Sequence, residues 1–137
     1  MKNFENVINL LGRLAIAALF LPAGLSKLMD VEGAAGYFWS LGLPVASVLV
    51  WVVIAIEVLG GRALILGYKT RFVAIGLAVF TVLASIAGHA FWAAPADAAF
   101  IAQLLFFKNI AVIGGLLVLA SAGAGSISLD GQKPIDE

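Results

Sequence analysis

Residues 44–66 read PVASVLVWVVIAIEVLGGRALIL, from Pro44 to Leu66. Glu57 and Arg62 are the only charged side chains in the run. As a helix rising 1.5 Å per residue, the stretch covers about 34 Å, enough to cross the roughly 30 Å of bilayer hydrocarbon. It lacks the in-out alternation of a barrel strand. Inside lipid the remaining way to satisfy every backbone N–H and C=O is an α-helix.

Working outward, three more runs have the same character. They extend over Val7–Leu28, Arg71–Trp92 and Ala99–Ala122. The fold class read from this pattern is all-α, an integral membrane four-helix bundle occupying residues 1–122. Residues 123–137 form a polar cytoplasmic tail that is expected to fray. The composition agrees. Of 137 residues 63% are hydrophobic and 12% charged, where a soluble domain carries roughly 45–50% and 25%. The first run is read as an uncleaved helix, because Arg13 interrupts any signal-peptide core.

The connections hold most of the remaining polar residues. Met29–Leu43 contains Asp30, Glu32, Tyr37, Phe38 and Trp39, and its middle, Ala34–Leu41, is expected to form a short interfacial helix. Gly67–Thr70 is a tight turn, and Ala93–Ala98 carries Pro95 and Asp97. Lys2, Lys69, Arg71 and Lys133 fall on the side shared by both termini, whereas the other two loops are acidic. Positive charge stays inside, so both termini are expected in the cytoplasm.

Several chemistries are excluded by what the chain lacks. A formal net charge of zero gives no pull toward nucleic acid. There is no cysteine, so thiol relay and iron–sulfur ligation are out, and the single histidine, His89, cannot provide bis-His haem ligation. No metal site and no resident cofactor is expected within the chain.

Charges inside the spans are the informative residues, since each costs about 2.5–3.5 kcal/mol at a helix centre. Counting along the helices, Arg13 lies ~9 Å and Glu57 ~13 Å from the cytoplasmic boundary. An Arg13–Glu57 pair, with Arg62 nearby, is the expected buried charge network. Its plainest role is to fix helix register. Lys108 lies ~13 Å from the outer boundary and ~6 Å axially from Glu57. With Gln103, Asn109 and His89 it forms the candidate ligand-binding set. Lys27, at the end of the first span, is read as a topology anchor. Gly60, Gly61, Gly76, Ala111, Gly114 and Gly115 would let helices approach closely.

These residues also fall in a family pattern. Gly12-Arg13 followed by Phe20, Gly24 and Lys27 resembles the first helix of the DoxX family. So do Glu57 with Gly60-Gly61 and Thr70-Arg71, then His89-Ala90-Phe91-Trp92, Phe107-Lys108-Asn109 and the ending Gly123 to Asp130. The resemblance spans nearly the whole chain and rests on order and spacing together. It implies a four-helix bacterial inner-membrane protein associated with oxidoreductase systems. On that reading the protein is a quinone- or small-molecule-binding subunit of a membrane redox system. Its partners are the bilayer and either a redox-enzyme subunit or further copies of itself. A non-catalytic scaffold and a small-metabolite or proton transporter are the alternatives. Whether the chain is itself an enzyme is left open, and no catalytic residue is legible.

Overall fold

A computed structural model describes residues 1–132. Five helices follow in order: α1 (Lys2–Met29), α2 (Val31–Ser40), α3 (Ala46–Leu66), α4 (Thr70–Gly88) and α5 (Ala99–Ala122), with a 3-10 turn at Phe91–Ala93 before α5. α1, α3 and α5 are each long and apolar enough to cross a membrane, as is the stretch Thr70–Ala93 that contains α4. Among the described residues there is no strand.

Local chemistry sets where the elements stop. The Asp30 carboxylate accepts from the Gly33 amide at 3.0 Å and caps α2. α3 ends at Gly67, in the left-handed region at φ +68°, with Tyr68 N–H returning to Ala63 C=O at 2.9 Å. Only glycine fits there, because a Cβ would lie 2.2 Å from Ser128 Cβ. α4 stops at Gly88, four residues short of the expected Trp92. The aromatic residues that continue the apolar run form the 3-10 turn instead. There Phe91 and Trp92 pack edge-on against Phe106 of α5.

The spans form a four-membered ring. α1 packs mainly on α3 and α4 mainly on α5, with α3 against α4 and α1 against α5 closing the circuit. α1 and α4 lie on one diagonal, α3 and α5 on the other; the backbones do not approach closely across either, and the α1–α4 diagonal is filled by side chains such as Phe20 and Phe80. The main core joins Ala17, Phe20, Leu64, Leu77, Leu116 and Leu119. A second core seats Phe38 of α2 on Ala46, Val50 and Ile54 of α3. Large apolar side chains point outward all round, among them Phe72, Phe100 and Val118, which suits a lipid solvent and not water.

The segment after α5 departs from expectation. Residues 123–131 do not fray; they fold back across the end of the bundle that carries the N-terminus. Leu129 N–H bonds Leu66 C=O and Asp130 N–H bonds Gly67 C=O, both at 2.9 Å. The rest of the tail, 133–137 with Lys133, lies outside the described residues.

Candidate functional site

Three polar centres are built into this apolar frame. The first lies where α1 crosses α3. A Cβ on Gly24 would meet Glu57 Cβ at 2.9 Å, and one on Gly61 would meet Leu21 Cβ at 3.0 Å, so the two backbones nearly touch. The crossing sets Glu57 opposite the last turns of α1. There Lys27 Nζ donates to both carboxylate oxygens, at 3.1 and 3.0 Å. The Glu57 side chain is 8% exposed and that of Lys27 25%.

This corrects the expected Arg13–Glu57 pair. α1 and α3 run antiparallel, so continuing the same register carries Arg13 to the far end of α3, about three turns from Glu57. The apolar runs gave each helix its ends but not the offset between helices. Arg62 does not belong to the network either; it is exposed on the outer side of α3.

Arg13 anchors the second centre. It is fully buried. One guanidinium nitrogen donates to Leu64 C=O at 3.0 Å and Ile65 C=O at 3.1 Å in the last turn of α3. The other donates to Ile127 C=O of the returning tail, and Nε bonds Asn9 Oδ1 at 3.1 Å. Asn9 Nδ2 reaches Gly123 C=O at 2.7 Å, and Asn6 Oδ1 accepts from Ser126 N–H at 2.9 Å. Asp130 then sits on the start of α4, its two oxygens accepting from Lys69 and Thr70 amides at 2.7 and 2.8 Å. Partial burial pushes the Asp130 carboxyl up. The hydrogen bonds from Thr70 and Lys69, with the Arg13 charge, outweigh it and hold it below the usual carboxylate range. Arg71 caps the end of α5 by donating to Ala120 C=O at 2.8 Å and to Ser121 C=O.

The third centre is the α4–α5 face, where sequence reasoning placed Lys108, Gln103, Asn109 and His89. The structure does not gather the four. Asn109 is buried and donates to Ser85 Oγ at 2.9 Å, while Ser85 Oγ donates to Thr81 C=O. That bond turns Asn109 inward, and its neighbour Lys108, about 100° round the helix, therefore faces out. Lys108 and Gln103 are exposed, and His89 is half-buried at the end of α4. Gln103 and Lys108 stand five residues apart, about 140° round the helix, so they do not share a face. Lys108 forms no bridge to Glu57, whose carboxylate is held by Lys27.

Lys108 and His89 do remain within Coulombic reach of each other. Close by, Phe91, Trp92, Phe106 and Phe107 form an edge-on aromatic cluster, in which Trp92 and Phe107 are exposed. α2 adds a residue the sequence reading did not select: the Tyr37 hydroxyl lies 3.6 Å from where a Cβ on Gly88 would be. The loop length alone could not show that α2 reaches across to α4. Two surface grooves lie elsewhere. One, of about 790 Å³, runs beside Lys69, Arg71 and Asp130; the other, of about 300 Å³, lies between Gly60 and Gly76. Among the described residues no three His, Cys, Asp or Glu side chains converge on a metal position.

Comparison with known proteins adds the lineage. The sequence matches the DoxX family over residues 8–90. It is 34% identical over 130 residues to inner membrane protein YqjF of Escherichia coli, covering 95% of each chain. It is 32% identical over 124 residues to inner membrane protein YphA of the same organism, covering 90% of this chain and 89% of the other. A protein of Bacillus subtilis named "Putative oxidoreductase CatD" is 38% identical over 85 residues, 62% of this chain and 60% of its own. No solved structure matches the chain.

Proposed function

The chain belongs to the DoxX family, and from that premise we propose that it is the membrane subunit of a redox system that takes a quinone-class carrier from the bilayer on its α4–α5 face. It would sit in a bacterial inner membrane, as its Escherichia coli relatives are named, with both termini cytoplasmic. Lys69, Arg71 and Lys2 gather at the terminal end, while Asp30, Glu32 and Asp97 lie at the other, which supports that orientation.

The observation that carries the reading is Lys108. It stands within a membrane-spanning helix, faces outward, and has no carboxylate partner among the described residues. An ammonium at that position calls for an acceptor arriving from the lipid side. A quinone carbonyl suits it, the exposed rings of Phe107 and Trp92 offer flat apolar surfaces, and His89 provides a second polar contact. Asn109 serves this site indirectly, by fixing the rotation of α5 through Ser85. The relative named as an oxidoreductase supports the redox assignment.

A scaffold role is the second reading, and the same outward lysine favours it, because a partner helix bearing a carboxylate would also satisfy the charge. One experiment separates them. The protein is purified from native membranes in a mild detergent, and bound quinone per protomer is measured by extraction and mass spectrometry beside Lys108→Ala. Near-stoichiometric quinone that is lost in the variant is the expected result. Equal or absent quinone in both samples refutes the carrier site.

A further inference from the structure

We propose that Gly123–Gly131 is a strap that opens and closes on an otherwise folded four-helix core, with the Asp130 carboxylate as its latch. Three observations carry this. The strap touches every other span by polar contacts: Asn6, Asn9 and Arg13 from α1, the Leu66 and Gly67 carbonyls from α3, and the first amides of α4. It adds nothing to either apolar core, whose members end at Ala120. Its own large side chains, Ile127 and Leu129, stay exposed, while only small residues such as Ala124 and Ser128 are buried. Releasing it therefore uncovers polar groups and leaves the packed interior as it was.

The strap also has a hinge. Gly123 and Gly125 both hold positive φ, at +81° and +72°. A Cβ on Gly123 would sit 3.1 Å from Arg71 Nη2, so the chain leaves α5 at a point that favours glycine. The latch is at the other end. Among the described residues the charges near Asp130 are Arg13 from α1 and, at the start of α4, Lys69 and Arg71; α3 offers only backbone carbonyls. All three charges are positive, and the carboxyl is held below its usual range, so the latch stays charged and shut across neutral pH. Opening it withdraws the Ile127 carbonyl from Arg13 and frees the first amides of α4, exposing cationic and donor groups on the terminal face.

Because the chain has no cysteine, single thiols report cleanly. Ala124→Cys, 5% exposed, probes the strap, and Ala78→Cys, 4% exposed, probes the core. Each is labelled with a maleimide in the full chain in detergent micelles, with Asp130 intact, as Asp130→Asn and as Asp130→Glu. Asp130→Asn keeps one acceptor but sets an NH₂ against one of the two amide donors. It should speed labelling of the Ala124→Cys thiol about tenfold or more, the effect of losing a charge-assisted pair of hydrogen bonds. Asp130→Glu, which keeps the charge, should restore part of the protection, and the Ala78→Cys thiol should stay unreactive throughout. An unchanged strap rate overturns the latch. A core thiol that becomes reactive together with the strap thiol overturns the separate opening.

Discussion

Removing Lys27 gives the sharpest test of how the charges are paired. Lys27→Met keeps the length and apolar stem of the side chain and deletes the ammonium that holds both Glu57 oxygens at 3.1 and 3.0 Å. A carboxylate 8% exposed is then left without a cation. Breaking a buried pair from one side costs about 3–5 kcal/mol. Lys27 is a quarter exposed, so screening brings the expected loss to about 2–3 kcal/mol. The double variant Lys27→Met with Glu57→Gln carries no charge to desert. It should regain most of the loss and lie within about 1 kcal/mol of the parent. The cycle should therefore show a coupling of about 2 kcal/mol. Reversible unfolding in mixed detergent, followed by the fluorescence of Trp39, Trp51 and Trp92, measures all four proteins. A single variant within about 0.5 kcal/mol of the parent, or two strictly additive losses, refutes the pairing.

Other outcomes follow from the same geometry. Gly24→Ala forces a methyl to within 2.8 Å of Val58 Cγ2 and should cost about 1–3 kcal/mol, whereas Gly76→Ala and Gly114→Ala meet nothing within 4 Å and should stay within about 0.5 kcal/mol, by the same unfolding assay. Arg13→Lys keeps the charge but cannot reach the carbonyls of Leu64, Ile65 and Ile127 together; a loss of about 2 kcal/mol is expected, and a neutral result would show that charge alone matters. The Asp130 carboxyl is lowered on folding, so its contribution is present above the ordinary carboxylate value of about 4 and fades as pH falls through the lower folded value. Exchange protection of the Leu129 and Asp130 amides, corrected for intrinsic rates, should hold down to that window and then drop.

The four spans were legible because apolar length is a one-dimensional signal, and lipid leaves few other ways to satisfy the backbone. The short helix after the first span was legible too, displaced by a few residues, since Asp30 caps it earlier than its aromatic residues suggest. Pairings were not legible, because they depend on axial offset and rotation. Lys27 closes an apolar run and so reads as an anchor, yet the close approach at Gly24 draws it over Glu57. Arg13 lies inside an apolar run and so reads as deep, yet α1 extends past α3 and brings it level with the ends of its neighbours. The tail reads as polar and loose, but its polarity is what the open carbonyls and amides of three helix ends require.

Rotation of α5 decides the meaning of Lys108, and a buried hydrogen bond contributes to it. α5 is apolar on every side, so its hydrophobic pattern names no inward face, although Leu116 and Leu119 are buried in the core beside Asn109. Asn109, bonded to Ser85 at 2.9 Å, adds a polar preference for that inward face, which leaves Lys108 exposed on the outside of the bundle. Arg13 and Glu57 are both met from within the chain, whereas Lys108 has no carboxylate partner among the described residues. Asn109→Leu should leave the bundle folded, since an interhelical hydrogen bond in a membrane is worth about 0.6 kcal/mol on average. It should nonetheless loosen the rotation. A Lys108→Cys thiol would then react with a lipid-soluble maleimide at a changed rate in the Asn109→Leu background, and Ser85→Ala should produce the same change. If both backgrounds leave the rate untouched, α5 is turned by its apolar packing, and the outward lysine owes nothing to Asn109.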